Sequence, residues 1–228
     1  MNTLARVRGI LRFLVVLVVA CTAIGGQPTA VAAASTDDSP ARVLVLGDSV
    51  FHSFHHIASA RRLMNARQPT LFATQTCQRL VSPGCRPSAQ LSTLDHLQRF
   101  AGKFTDVVVI GTGYNDRIGP DFKAAVTAIT DEARNQGVDV LWVNYREVRH
   151  VRGKARVMNE QLVRLDSVID NLGVVDWNAH SADGKGWFRP DRLHLIGLGA
   201  DNLAVLLNES LAPLLAARDA ARTTVPAG

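Results

Sequence analysis

Short apolar runs alternate along the chain with longer segments in which apolar residues recur every three or four positions. The short runs are rich in valine, leucine and isoleucine and predict buried strands, whereas the longer segments predict amphipathic helices. The predicted strands cover 42–47, 70–75, 105–111, 138–144 and 173–177. The predicted helices cover 52–67, 89–102, 120–136, 154–171 and 197–217.

The alternation of strand and helix predicts an α/β fold whose sheet is parallel and covered by helices on both faces. In the third predicted helix, Val126, Ile129 and Ala133 share one face, and Gly137 follows at a position that glycine favours after a helix. We therefore expect a three-layer α/β/α sandwich with a five-stranded parallel sheet. Functional residues of such a sheet lie beyond the carboxyl ends of its strands.

The first 34 residues follow the order of a secretory signal peptide, which is basic, then apolar, then small. Arginines precede the unbroken apolar run 13–20, and alanines repeat the A-x-A pattern within 30–34. A single membrane anchor is the alternative, but Gly25, Gly26 and Pro28 interrupt the apolar segment. Lipidation of Cys21 is a second route of export. The sequence therefore predicts a secreted protein or one held at the cell envelope.

The remaining chain divides into a polar tether at 35–40, a folded domain at 41–218 and a C-terminal tail at 219–228. Of the 228 residues, 47% are hydrophobic and 20% are charged, which fits a globular protein. Removing 1–34, which holds three arginines and no acidic residue, lowers the formal net charge from +5 to +2. So small a surplus, without interleaved aromatic and basic residues, predicts no nucleic-acid partner.

Two cysteines remain after export, and they lie eight positions apart on either side of a Ser-Pro-Gly turn. In an oxidising compartment Cys77 and Cys85 predict a disulfide that closes this loop. Two free thiols, or a reactive Cys77, are the alternatives.

The ends of the predicted strands carry residues that can act together in acyl transfer. Ser49 follows the first strand, 113–116 follows the third, and Asp191 and His194 precede the last helix. A serine hydroxyl becomes a good nucleophile when a histidine accepts its proton, and a carboxylate can fix the tautomer of that histidine. Ser49 as an ordinary helix cap is the alternative.

These motifs resemble those of the SGNH (GDSL-like) hydrolase family, in order and over nearly the whole exported chain. The matching pieces are 47–49, 113–116 and 191–194. The resemblance implies a flavodoxin-like SGNH hydrolase fold, with Ser49 as nucleophile, His194 as base and Asp191 as its orienting acid. It also implies an oxyanion hole formed by Ser49, Asn115 and Gly113.

The chain departs from the family pattern at two points. Val50 stands where the family name has leucine, which affects packing alone. The second block of the family pattern falls at 76–80 in this chain. It lacks the usual glycine after the second strand, and the next glycine is Gly84. We expect a backbone N–H within 77–79, held by the disulfide, to replace the missing donor.

Other polar and aromatic residues near the strand ends have two interpretations each. Tyr114, Tyr145 and Trp187 are candidates for binding substrate, and packing at the sheet edge explains them equally well. Asp48 is expected to brace the turn before Ser49. A histidine cluster is read as a partly exposed helix start, with a metal site as the alternative; it comprises His52, His55 and His56. An arginine group is read as a solvated loop, with contact to substrate or to an anionic surface as the alternative; it comprises Arg146, Arg149 and Arg152.

Together these features predict a secreted serine esterase that acts on a small-molecule, glycan or lipid ester and uses no metal or cofactor. Transfer of acyl groups onto envelope glycans or lipids is the alternative activity. A catalytically silent module that binds the cell envelope is the alternative from another class.

Overall fold

A five-stranded, wholly parallel sheet forms the centre of the computed structural model, which describes residues 40–85, 87 and 90–224. The strands are β1 Ala41–Gly47, β2 Thr70–Thr74, β3 Phe104–Gly111, β4 Asp139–Val143 and β5 Leu172–Val175. The helices are α1 Ser53–His56, α2 Ala58–Asn65, α3 Thr93–Arg99, α4 Pro120–Asn135, α5 Arg152–Asp166, α6 Trp177–His180 and α7 Gly197–Thr224, with a 3-10 turn at Arg149–Val151. The predicted α/β sandwich with a five-stranded parallel sheet is confirmed.

The strand order is β2-β1-β3-β4-β5, which is the flavodoxin-like order. The order reverses between β1 and β3, and a crevice for ligands opens at such a switch point. The loops that leave β1 and β3 there begin with Asp48 and Thr112. The topology therefore brings the segments after Gly47 and Gly111 side by side, because these two residues are partners in the sheet.

Alternating strand residues build one apolar core on each face of the sheet. Val43 and Val45 point to the face covered by α1, α2 and α7, whereas Leu44 and Leu46 point to the face covered by α3, α4 and α5. This alternation follows from the two-residue repeat of a strand. Both faces of the central strands are buried, which explains why their sequence is continuously apolar.

The first predicted helix is broken into α1 and α2. Ile57 has an extended backbone, with φ of −108° and ψ of 90°, and its side chain packs against the core on that face. The helical hydrogen-bond ladder cannot continue through this conformation. The prediction of one helix over 52–67 is therefore wrong at this residue.

The ends of two other elements also differ from the prediction. β5 stops at Val175 because Asp176 caps α6, its side chain accepting from the Ala179 N–H at 3.0 Å. α7 extends to Thr224, into the predicted tail, where Arg222 pairs with the buried Asp106. Arg218, the residue before that tail, pairs with Asp139 at 2.8 Å.

The predicted signal peptide, Cys21 and most of the tether lie outside the described residues. Among the residues that the structure describes, no helix is both long and apolar enough to cross a membrane.

Candidate active site

Ser49, His194 and Asp191 form a continuous hydrogen-bonded chain at the carboxyl edge of the sheet. The Ser49 Oγ lies 3.0 Å from the Nε2 atom of His194, and the Nδ1 atom of His194 lies 2.7 Å from Asp191 Oδ2. An ionised Asp191 requires a proton on Nδ1, which leaves Nε2 to accept the serine proton. The three residues are separated by up to 145 positions, so the fold alone brings them together.

A tight turn presents Asp191 and His194 on the same side. Asp191 Oδ1 accepts the N–H groups of Leu193 at 2.8 Å and His194 at 3.0 Å. Arg192, which directly follows Asp191, has a φ of 60°. Partial burial acts to raise the pKa of Asp191. The hydrogen bonds from Leu193 and His194 outweigh that effect and lower the pKa to about 2. The carboxylate is therefore ionised at neutral pH.

Asp48 lies beneath the turn that carries Ser49 and is fully buried. Its Oδ1 atom accepts the Val50 N–H at 3.1 Å, and its Oδ2 atom accepts the N–H groups of Gly113 and Tyr114, each at 3.2 Å. Burial raises the pKa of Asp48 to about 6, although these three hydrogen bonds act to lower it. Asp48 thus braces the serine turn, as predicted, and also ties it to the loop after β3.

The glycine before Asp48 is required because an aromatic ring covers it. A side-chain carbon at Gly47 would collide with Phe51, and one at Gly111 on the neighbouring strand would collide with the same ring. Phe51 is itself buried and follows Ser49 by two positions. The two strand ends therefore approach each other under one phenyl ring.

Asn115 and Asp116 fasten the loop between β2 and α3 to the site. The Asn115 side-chain amide donates to the Gln78 carbonyl at 3.0 Å, and Asp116 accepts the Leu80 N–H at 3.0 Å. A carboxamide has two N–H groups, and the second one of Asn115 has no acceptor among the described residues. Burial raises the pKa of Asp116 to about 6.

Cys77 lies in the segment after β2 that lacks the glycine expected from the family pattern. Its φ is 61°, the left-handed conformation that glycine adopts most easily, and it is joined to Cys85 by a disulfide. The N–H groups of Cys77 and Ser49 have no acceptor within the part of the chain that the structure describes. Cys77 lies within the segment 77–79 that the sequence nominated as a replacement donor.

Gly113 does not supply an oxyanion donor in this structure, which corrects the expectation from the sequence. Its N–H donates to Asp48, and a side chain at this position would collide with the Tyr145 hydroxyl. Its φ of 151° is also a backbone conformation that residues with a side chain rarely adopt. The residue is a glycine because the loop passes directly over Tyr145.

No family model and no curated protein sequence matches the chain. Solved structures do match. The C-terminal catalytic domain of Streptococcus pneumoniae peptidoglycan O-acetyltransferase A (OatA), solved with a methylsulfonyl adduct, is 16% identical over 77% of this chain and 95% of its own, with a TM-score of 0.59. A protein from Slackia heliotrinireducens described as an SGNH hydrolase is 17% identical over 76% of this chain and all of its own (100%), with a TM-score of 0.58.

A third structure, TesA, is 17% identical over 76% of this chain and 99% of its own, with a TM-score of 0.61. The chain has the SGNH hydrolase fold. Within that fold, the chain places its serine, its asparagine and its Asp-His pair on separate loops along one edge of the sheet.

The three aromatic residues predicted to bind substrate all make packing or hydrogen-bond contacts within the protein, and they differ in how deeply they are buried. Tyr145 is 2% exposed, and its hydroxyl donates to the Thr112 carbonyl at 2.7 Å, so it does not line a cavity. The Tyr114 hydroxyl accepts the Arg146 N–H at 2.7 Å. Trp187 is half-buried and stacks on Trp177 with ring centroids 6.0 Å apart. Packing at the sheet edge accounts for all three contacts.

The histidine cluster lies beside the site but does not form a metal centre in the described residues. His52 contacts the rings of His55 and His56 at 4.7 and 5.1 Å, and its Nδ1 atom lies 3.1 Å from the Thr74 carbonyl. Burial lowers the pKa of His55, and the neighbouring His52 lowers it further. No group of potential ligands among the described residues is arranged to hold a metal ion.

Two grooves lie beside the Ser49–His194–Asp191 chain. One, of about 620 Å³, runs between the disulfide loop and α4 and is bordered by Asn115. The other, of about 470 Å³, lies against the 189–192 segment next to the Asp-His pair. Arg146 lines the second groove and is 8% exposed, so it is not part of a solvated loop as the sequence suggested. Arg149 and Arg152 are exposed, as that prediction required.

Proposed function

We propose that the chain is a serine hydrolase that cleaves carboxylic esters through an acyl-enzyme intermediate on Ser49. The observation that carries the proposal is the Ser49–His194–Asp191 chain, with its distances of 3.0 and 2.7 Å. Structural similarity to several esterases and acylhydrolases supports it, among them the Pseudoalteromonas esterase EstA, which is 12% identical with a TM-score of 0.57.

In the proposed first step, Ser49 Oγ attacks the ester carbonyl carbon while His194 Nε2 takes the serine proton. The tetrahedral intermediate collapses, the bond to the alcohol breaks, and His194 returns the proton to the departing alcohol oxygen. A water molecule then attacks the acyl-Ser49 ester with His194 again acting as base. The acid is released and the serine hydroxyl is restored.

Negative charge develops on the carbonyl oxygen during both steps, and the proposed donors are neutral N–H groups. These are the backbone N–H of Ser49, the second side-chain N–H of Asn115 and the backbone N–H of Cys77. Removal of one such donor typically costs about 100-fold to 1000-fold in kcat. The mechanism uses no metal ion and no cofactor.

Acyl transfer to an envelope glycan is the second candidate. It is favoured by the similarity to the catalytic domain of OatA, a peptidoglycan O-acetyltransferase. The two activities share the acyl-enzyme and differ only in whether water or an alcohol accepts the acyl group. A hydrolysis assay with and without an added sugar acceptor distinguishes them through the product formed.

The site of action is proposed to be outside the cytoplasm, either after cleavage of 1–34 or by lipidation of Cys21. The basic, apolar and small-residue order of that segment supports export. Mass spectrometry of the N-terminus of the protein recovered from its native host would test this proposal. An intact Met1 would contradict it.

The test of the chemistry compares wild type with Ser49→Ala on short-chain esters, long-chain esters and acetylated sugars. We expect turnover in wild type and none above background in Ser49→Ala. The matched control is Ser167→Ala, because Ser167 is exposed and its hydroxyl bonds only to the Arg164 carbonyl.

A serine-reactive organophosphonate then separates an enzyme from a silent binding module. Peptide mass spectrometry should find the adduct on Ser49 in wild type and in Ser167→Ala. A folded wild-type protein that stays unlabelled and turns over no ester would overturn the proposed function.

A further inference from the structure

Four cationic side chains surround the 470 Å³ groove beside the catalytic Asp-His turn. We call this the cationic groove. Its cations are Arg146, Lys185, Arg189 and Arg192, and its only acidic lining residue is Asp183. Phe188 forms part of the wall and supports the Arg146 guanidinium, whose carbon lies 4.1 Å from the ring centroid.

Arg146 is held rigidly in the groove by acceptors that carry no charge. Its Nε atom donates to the Arg192 carbonyl at 3.1 Å, and its Nη1 atom donates to the Ser181 carbonyl and, at 2.7 Å, to the Ser181 hydroxyl. Its Nη2 atom has no acceptor in the described part of the chain. The guanidinium is therefore oriented in advance, with one edge left for a ligand.

The positive charge of the cationic groove is not neutralised by the protein. None of its four cations takes part in a salt bridge among residues 40–85, 87 and 90–224. Burial lowers the pKa of Arg146, and the like charge of Arg192 lowers it further. A buried cation without a carboxylate partner is costly unless an anion binds to it.

The cationic groove is joined to the catalytic turn. Arg192 lies between Asp191 and His194, and its carbonyl is the acceptor of the Arg146 Nε bond. The Arg146 backbone N–H in turn donates to the hydroxyl of Tyr114, the residue before Asn115. A ligand in this groove would therefore be adjacent to a substrate that reacts at Ser49.

We infer that the cationic groove binds an anionic group, a phosphate or a carboxylate, on the ester substrate outside the bond that is cleaved. This inference rests on the proposed ester hydrolysis and specifies its substrate class. Arginine suits such a group because its planar fork matches two oxygens at once. The exposed Lys185, Arg189 and Arg192 would add less specific attraction around the fixed Arg146.

The first experiment measures binding without catalysis. Inorganic phosphate and succinate are titrated separately into Ser49→Ala protein by calorimetry at constant ionic strength. We expect saturable binding of at least one anion. Adding Lys185→Gln and Arg189→Gln should weaken it by about tenfold, since each exposed charge contributes modestly.

The matched control removes two charges from elsewhere. Arg62→Gln with Arg99→Gln removes two exposed helical arginines outside the groove and lowers the net charge by the same amount as the test variant. It should change the affinity for the anion by less than about twofold. Absence of saturable binding of both anions, or equal weakening in both double variants, would overturn the inference.

The second experiment measures turnover, so it uses protein with an intact Ser49. Its substrates are acetyl esters of glucose, glucose 6-phosphate and glucuronic acid. We expect a lower KM for whichever anionic ester matches the anion that bound, with a similar kcat for all three. Lys185→Gln with Arg189→Gln should reduce that preference by about the factor seen in the anion titration. Arg62→Gln with Arg99→Gln should keep the preference and leave turnover of the glucose ester unchanged.

Equal KM values for the three esters in wild type would overturn the assignment of the groove to the substrate. Failure of wild type to cleave any ester would instead refute the proposed function. The anion titration would still decide separately whether the groove binds an anion.

Discussion

Replacing Asp48 by asparagine tests how the buried carboxylate beneath Ser49 affects stability. The pKa of Asp48 is raised by burial from its ordinary value of 3.8 to about 6. The folded protein therefore holds this proton more tightly than the unfolded chain does. The stabilisation linked to the bound proton is complete below about pH 4 and is lost as the pH rises through about 6.

The magnitude follows from the difference between the two pKa values. A difference of about two pH units corresponds to about 3 kcal/mol of unfolding free energy between about pH 4 and pH 7.5. Asparagine cannot ionise, so the variant lacks this dependence. Its amide must, however, face either the Val50 N–H or the N–H groups of Gly113 and Tyr114, which leaves at least one buried donor unpaired.

An unpaired buried donor costs about 1–3 kcal/mol. We therefore expect Asp48→Asn to be less stable than wild type by about that amount near pH 4. Near pH 7.5 the difference should shrink or vanish, because wild type has by then lost about 3 kcal/mol. Ester turnover should fall at every pH, since the loop carrying Asn115 is tied to the same carboxylate.

Urea unfolding at fixed ionic strength across this pH range measures the difference directly. The exposed Asp170→Asn serves as a control for the loss of a carboxylate as such. The reasoning would be refuted if the difference in unfolding free energy between wild type and Asp48→Asn stayed constant or widened as the pH rises.

Three further outcomes are expected. His194→Ala should reduce kcat to nearly the level of Ser49→Ala, whereas Asp191→Asn should reduce it less, because the imidazole remains; equal or reversed losses would contradict that order. Turnover should decrease at acid pH, because an imidazole base works only in its neutral form, and a flat profile from acid to neutral would contradict the assignment of His194 as base. Joint Cys77→Ser and Cys85→Ser should lower stability by about 2–3 kcal/mol and kcat by about tenfold or more; kcat equal to wild type would remove the Cys77 N–H from the oxyanion hole.

The strands and the meeting of Ser49, His194 and Asp191 could be predicted because their signals are local or come in a fixed order. Continuous apolar runs such as 43–46 are visible in the sequence whether or not the partner strands are known. Ser49, Asp191 and His194 were recognisable from the order and position of their motifs after the strands. The distances between them then follow from the parallel topology, which places all these loops at one edge.

What the sequence could not predict depends on contacts between distant residues. Arg146 resembles its exposed neighbours in the sequence, and only the fold shows its guanidinium against Phe188 and Ser181. Gly113 was assigned to the oxyanion hole from its motif, but Asp48 takes its N–H. The left-handed conformation of Cys77 had one visible signal, the absence of the expected glycine from the segment 76–80.

Phe51 has a consequence for anyone who wishes to redesign the protein. Its ring occupies the space that side chains at Gly47 and Gly111 would need, so the three positions form one coupled set. A library that varies them one at a time would recover only wild type at both glycines. Replacing the phenylalanine by a smaller residue would free the space beside Gly111, whereas a side chain at Gly47 would still meet the Cβ atom of residue 51.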